Sequence, residues 1–346
     1  MRTLVIIFSL IFLLPCQSFA QQALVDIPIF AYHRFGDHRY PSTNIDTQVF
    51  EEQLKFLSEN NFEVLTFGQA VQVGKQGKTL MAKAVVLTID DGYLSFYTYG
   101  WPLLKKYGYN ATIFIQCQTA GGGDFMSWDQ IKEIQEAGIE IGNHSAAHTY
   151  FLNLPGQERK QAFTEDLIQA GEDFKSHLGF SPKYYAYPYG EYTADMQAVL
   201  KAEGIEAAAA QKSGVFSGAV DFFAIPRFPM GGPFGTLEGF KNKTTMKTLR
   251  VLETEPQSPF VDENPPSLKI TIAPGQVNIK NAQFFVQGNK MEIDETNNDS
   301  SPPFVVLKSS KKLTARRTLY TLTAPSSDGK SWCWYSYLWV RPGVEE

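Results

Sequence analysis

Cysteine is scarce in this 346-residue chain, with three in all. Cys16 lies in an N-terminal apolar run, and Cys117 and Cys333 stand far apart. Two such residues make no disulfide framework, so both are read as buried free thiols. Basic charge is also in short supply: 31 Lys and Arg face 36 Asp and Glu, a net charge of −5. That balance gives no support to nucleic-acid binding, which usually needs a basic face, and it argues against tight adhesion to an anionic membrane. Beyond the N-terminus no stretch approaches the roughly 20 apolar residues of a spanning helix. Gly121-Gly122-Gly123 is not followed by Lys and Ser or Thr, so it is a flexible loop and not a phosphate cradle. No internal repeat is apparent. Only five histidines are present, which makes any clustering of them informative.

What is there suits a folded, exported protein. Hydrophobic residues make up 43% and charged ones 19%, as in globular chains. The length predicts one large domain and a small one. Residues 1–20 read as a secretory signal peptide. Arg2 starts it, Leu4 to Leu14 form its apolar run, and Ser18-Phe19-Ala20 offers cleavage after Ala20. A lipoprotein signal ending at Cys16 is the weaker alternative, because Pro15 fits a lipobox poorly. Export places the protein in the periplasm, outside the cell or at the cell wall.

Residues 24–250 alternate strand-like and helix-like segments. Ile27–Tyr32, Ala84–Ile89, Ala111–Ile115, Ile139–Gly142, Tyr184–Tyr187 and Ile205–Ala210 read as strands. Phe50, Leu54 and Leu57 recur at helical spacing, as do Phe163, Leu167, Ala170, Phe174 and Leu178 before Gly179. Ser127-Trp128-Asp129-Gln130 fits a helix capping box. This order predicts an α/β barrel or doubly wound sheet, with function at the carboxyl ends of strands. Proline-rich residues 251–266 read as a linker. Residues 267–346 read as a small all-β sandwich, with strands at Leu268–Ile272, Val277–Ile279, Phe284–Gln287, Phe304–Leu307, Leu319–Thr323 and Trp332–Val340. In the last, Trp332, Trp334, Ser336 and Leu338 share one face, and Cys333, Tyr335, Tyr337 and Trp339 the other. At least one of these faces should be core. This domain could bind glycan, dock a partner or cap the barrel.

The strongest chemical signal is Thr88-Ile89-Asp90-Asp91-Gly92. Two adjacent carboxylates after a buried strand are costly without a cation or partners. Asn143-His144-Ser145-Ala146-Ala147-His148 follows another strand. Two His four apart are expected on one side of a helical turn, where both can reach one ion. One Asp with two His leaves positions open for water and substrate, the pattern of a catalytic zinc site; cobalt or nickel would also be accepted. His38 falls in a polar loop, and His177 late in a helix; neither is assigned a catalytic role.

These two segments, with Tyr185-Ala186-Tyr187-Pro188-Tyr189-Gly190, resemble the first three motifs of the polysaccharide deacetylases, the NodB-homology domain of carbohydrate esterase family 4. The resemblance covers about residues 25–250. It implies a deformed (β/α) barrel and metal-assisted attack of water on an acetamide. It makes Asp90 the general base, Asp91, His144 and His148 the metal ligands, and Tyr189 the donor of a backbone N–H to the oxyanion.

The chain also departs from the family pattern. Ala186 stands where the family has an Arg that orients the catalytic carboxylate, and the fourth and fifth motifs have no clear match. Phe30-Ala31-Tyr32-His33 is similar to the front of the circularly permuted, poly-N-acetylglucosamine deacetylase branch, which makes His33 the candidate general acid. Arg227 is the candidate replacement for the missing Arg, by pairing with Asp90. The function expected is metal-dependent N-deacetylation of an N-acetylglucosamine-containing polysaccharide, with peptidoglycan slightly favoured over poly-N-acetylglucosamine. The motif losses leave a glycan-binding protein on a degenerate scaffold as the alternative.

Overall fold

Continuous apolar runs become strands buried along their whole length. Ile27–Tyr32 and Ala84–Ile89 are buried at every position, as parallel strands covered on both faces must be. They pair in parallel, from Ile29 opposite Val86 to Tyr32 opposite Ile89. The parallel order continues through Thr112–Ile115, Glu140–Asn143, Tyr184–Ala186 and Ala207–Ala209. A short segment then closes the curl. Ile225 bridges Ala209 in parallel, and Phe228–Pro229 pairs in parallel with Phe30–Ala31. The result is a deformed (β/α) barrel, described here by a computed structural model over residues 25–345. The expected signal peptide at residues 1–20, with Cys16, lies outside the described residues.

Helices cover the barrel. Thr47–Glu59 starts at Asp46, whose carboxylate accepts from the Gln48 and Val49 amides. Trp128–Glu136 opens on the Ser127–Gln130 capping box. Gly156–Leu178 stops at Gly179, whose φ of 82° needs a residue without a Cβ. Phe67–Gln76 is a helix that apolar spacing did not reveal, although Thr66 and Gln69 form a capping box ahead of it. No helix among the described residues is long and apolar enough to cross a membrane.

The C-terminal region forms two antiparallel-rich sheets. One has the order Lys247–Thr248, Trp332–Val340, Arg317–Pro325, Gln283–Val286, Asn289–Met291; the other has Val251–Glu255, Ser267–Ile272, Phe304–Lys308, Glu295–Asn297. Leu268, Ile270, Phe284, Leu322 and Trp339 fill the space between them. Two expectations need correction here. The stretch 251–266 is not simply a linker, because Val251–Glu255 pairs with Ser267–Ile272. It is a largely exposed edge strand, so hydropathy did not mark it. Val277–Ile279 is not a strand: Val277 makes one bridge to Ser326, and a 3₁₀ turn follows at Ile279–Asn281. Cys117 and Cys333 are both buried and free.

Both faces of Trp332–Val340 are covered over most of their length. Cys333, Tyr337 and Trp339 enter the sandwich core, while Trp334 and Leu338 pack against the barrel. Between the two regions lies a buried ion pair. Arg316 Nε and Nη2 donate to the two Glu191 carboxylate oxygens, each at 2.8 Å, and Nη1 donates to Asn153 at 2.7 Å. Both side chains are 2% exposed. Arg316→Ala should strand a buried Glu191 carboxylate and destabilise the protein by about 3–5 kcal/mol. Urea unfolding checks this; a loss below about 1 kcal/mol would show that water reaches Glu191.

Candidate active site

Asp90, Asp91, His33, His144, His148 and Tyr189 lie beyond the carboxyl ends of barrel strands, whereas Arg227 immediately precedes the closing strand Phe228–Pro229. Asp90 and Asp91 follow Ala84–Ile89, and the Asp90 amide donates to Tyr32 O at 2.9 Å. Asp91 has φ 72°, which turns successive carboxylates in different directions. Gly92 lets the chain pass Ile115, whose Cδ1 would be 3.0 Å from an added Cβ.

His144 follows Glu140–Asn143, and its amide donates to Ile115 O at 2.9 Å. The expected helical turn between the histidines is absent. Ser145 and His148 have φ of 79° and 55°, so the pair is carried by an irregular loop. Local hydrogen bonds hold that loop. The Ser145 amide donates to Asn143 Oδ1 at 2.7 Å, and the His148 amide to Ser145 Oγ at 2.9 Å. The Ala146 and Ala147 amides donate to the Asp166 carboxylate at 3.0 and 2.9 Å. Asp166 escaped sequence reasoning because it lies mid-helix, where a lone carboxylate reads as a solvated face.

The structure brings Asp91, His144 and His148 together, with one ligand atom from each lying within 4.8 Å of the others. His144 Nε2 is 3.2 Å and His148 Nε2 3.5 Å from Asp91 Oδ1. His144 Nδ1 lies 2.8 Å from Ala186 O, so it carries the proton and directs Nε2 inward. This mixed nitrogen and oxygen set fits a divalent cation such as zinc. Burial pushes the His148 imidazole down to about 4, helped by His144, and so keeps it neutral near neutral pH. Burial alone would raise Asp91, but the hydrogen bond from His144 and the charge of His33 hold it well below the usual carboxylate range.

Asp90 is separate from that cluster. It is 1% exposed. Arg227, on the closing segment and fully buried, donates from Nη1 to Oδ1 at 2.7 Å and from Nη2 to Oδ2 at 2.8 Å. Burial would raise the Asp90 pKa, yet Arg227 and then His144 hold it below its ordinary value. His33 Nε2 stands 3.9 Å from Asp90 Oδ2 and 3.4 Å from Gln211 Nε2. A carboxylate kept ionised at neutral pH but able to accept a proton, beside an imidazole and next to a cation site, is a pair suited to proton transfer.

Tyr189 completes the rim. Its φ is 58°, and its ring packs on His148 with centroids 4.4 Å apart and stacks on Tyr150 at 3.6 Å. Gly190 is required because an added Cβ would meet Gln211 Cβ at 2.1 Å. Arg317 of the C-terminal region donates to Tyr189 O and to Gln211 Oε1. Sequence reasoning missed Gln211, Arg316 and Arg317, because only the folded chain carries the distant arginines to this loop. His38 is exposed. His177 stacks on Trp128, with centroids 4.5 Å apart, away from the other histidines.

Comparison with known proteins finds similarity at the level of family, sequence and fold. The polysaccharide deacetylase family model matches residues 77–208. The poly-β-1,6-N-acetyl-D-glucosamine N-deacetylase of Escherichia coli K12 is 26% identical over 231 residues, 56% of this chain. The match spans only 34% of that enzyme's length. The structure of IcaB from Ammonifex degensii is 30% identical, with a TM-score of 0.50, over 54% of this chain and 84% of that one. Streptococcus pyogenes deacetylase PplD shares the fold, with a TM-score of 0.59 at 19% identity over 64% of this chain and 99% of its own.

Proposed function

The chain belongs to the polysaccharide deacetylase family, and from that premise we propose that it removes acetyl groups from N-acetylglucosamine residues of a polysaccharide. The observation that carries the proposal is the pairing of two adjacent carboxylates with different surroundings. Asp91 faces two imidazoles, and Asp90 faces a guanidinium and His33. Such a division separates ion holding from proton transfer.

Asp91, His144 and His148 would hold the cation, zinc being the best fit to the donors. A bound divalent cation would polarise the acetyl carbonyl and make water easier to deprotonate. Asp90, kept ionised by Arg227, accepts the proton of the attacking water. The Tyr189 backbone N–H donates to the developing oxyanion, a contribution of roughly 2.7–4 kcal/mol in a comparable protease site. His33 donates the proton that lets the amine leave. The products are acetate and a free amine on the polymer.

Both polymers expected from the sequence carry the required acetamide. The name of the Escherichia coli relative favours poly-β-1,6-N-acetylglucosamine. Mass spectrometry of that polymer and of peptidoglycan, after incubation with zinc-loaded protein, decides between them. Acetate release should stop on chelation and return with zinc. Release from neither polymer, with zinc bound, would reduce the protein to a glycan binder. His33→Ala should slow turnover about 10²-fold or more while zinc remains bound. Full rate in that variant would remove His33 from the mechanism.

A further inference from the structure

Two exposed aromatic side chains of this protein face one groove. Phe234 is 53% exposed and Trp332 38%. Both line one groove of about 450 Å³ between the barrel and the C-terminal sheet. Phe234 follows Phe228–Pro229, and so comes from the same barrel end as His33. Trp332 begins the last strand, on the opposite wall. Phe285, Gln283, Thr321 and Thr323 form the floor, on one face of the paired strands Gln283–Val286 and Arg317–Pro325. The lining is mainly apolar with a few amide and hydroxyl groups, the makeup of a small-ligand site.

The groove adjoins a hollow that lies beside the candidate active site. Gln287 and Leu319 line both it and the hollow formed by Arg317 and Gln211. Arg317 and Gln211 in turn contact Tyr189 and lie beside His33. From Arg317 to Thr323 the strand advances about 20 Å at its normal rise, long enough for several sugar rings in a row. Charge selects the kind of sugar. The groove itself contains Lys243 and no carboxylate, Glu345 lying only in the adjoining hollow, so along the groove nothing pairs with the ammonium groups of a deacetylated chain.

We propose that this groove is a binding site for the acetylated, uncharged stretch of glycan that extends from the residue being deacetylated. The proposal rests on the deacetylase reading for the identity of its ligand. Aromatic faces supply flat apolar contact to the C–H faces of the sugars, and Gln283 offers its amide to their hydroxyls. The C-terminal region thereby makes the protein selective for long, still-acetylated chains.

The test is calorimetric binding of N-acetylglucosamine dimers and hexamers, and of a fully deacetylated hexamer, to chelator-treated protein that cannot turn them over. The acetylated hexamer should bind about tenfold more tightly than the dimer, the worth of one good ring contact. Trp332→Ala or Phe234→Ala should bring hexamer affinity down to the dimer value and leave the dimer unchanged. Both side chains are partly exposed and on opposite walls, so each variant checks the other against misfolding. Equal affinity for dimer and hexamer, unchanged hexamer binding in both variants, or equally tight binding of the deacetylated hexamer overturns the proposal. Length-dependent binding without acetate release from any polymer would instead refute the deacetylase reading and leave the groove standing.

Discussion

Asp90→Asn should lower the rate of acetate release by about 10²–10⁴-fold, the usual contribution of a positioned base. The amide keeps the shape of the carboxylate but cannot take a proton from water. Zinc content should stay the same, because Asp91, His144 and His148 are the residues gathered around one point. That separates Asp90→Asn from Asp91→Asn, which should lose both metal and activity. Elemental analysis and single-turnover acetate release on the same preparations check the distinction. If Asp90→Asn lost its zinc, Asp90 would be a ligand and the proton acceptor would have to be sought elsewhere.

Arg227→Met should be costly in two ways. The guanidinium is fully buried against Asp90 with two short hydrogen bonds. Its removal leaves a buried carboxylate with weaker compensation, at a cost of about 3–5 kcal/mol. The pH dependence has a definite sign. Asp90 is held below the unfolded carboxylate value. Its stabilisation is therefore present above an unfolded pKa of about 3.9, and it is lost as pH falls through the lower folded value. Without Arg227, burial acts against the charged form with only the histidines opposing it, so the Asp90 pKa rises. The acid limb of the kcat/KM profile should then move to higher pH, and wild type and variant should differ least in stability at low pH. Denaturant titrations and rate profiles across the acid range measure both. An unmoved acid limb would show that Arg227 has only a packing role.

Arg227 also shows how much of the site could be read from the chain alone. Ala186 leaves the third motif without its usual Arg, and the sequence offers Arg227 as a candidate replacement without a strand pattern to place it. Ile225-Pro226-Arg227-Phe228-Pro229 is too short and too rich in proline to announce a strand. Its pairing with Ile27–Tyr32 and with Ala209 turns it into the barrel's closing segment and aims Arg227 at Asp90. The buried strands were legible because parallel strands covered on both faces leave unbroken apolar runs. The helix stop at Gly179 was legible because a left-handed φ favours a residue without a Cβ. The edge strand Val251–Glu255 was not, since an exposed edge carries little hydrophobic pattern.

The cluster with which the chemistry began has the same two origins. Sequence by itself determined that Asp90-Asp91 and His144…His148 each follow a buried strand, because hydrophobic runs and their polar ends are local properties. It did not determine how the histidines meet. A helical turn was expected, whereas the observed loop depends on left-handed Ser145 and His148 and on distant Asp166. Nor did it determine that Arg316 and Arg317 would brace the loop of Tyr189 from the C-terminal region. Those contacts join residues more than a hundred positions apart, and only tertiary packing sets the distances at which charges and hydrogen bonds act.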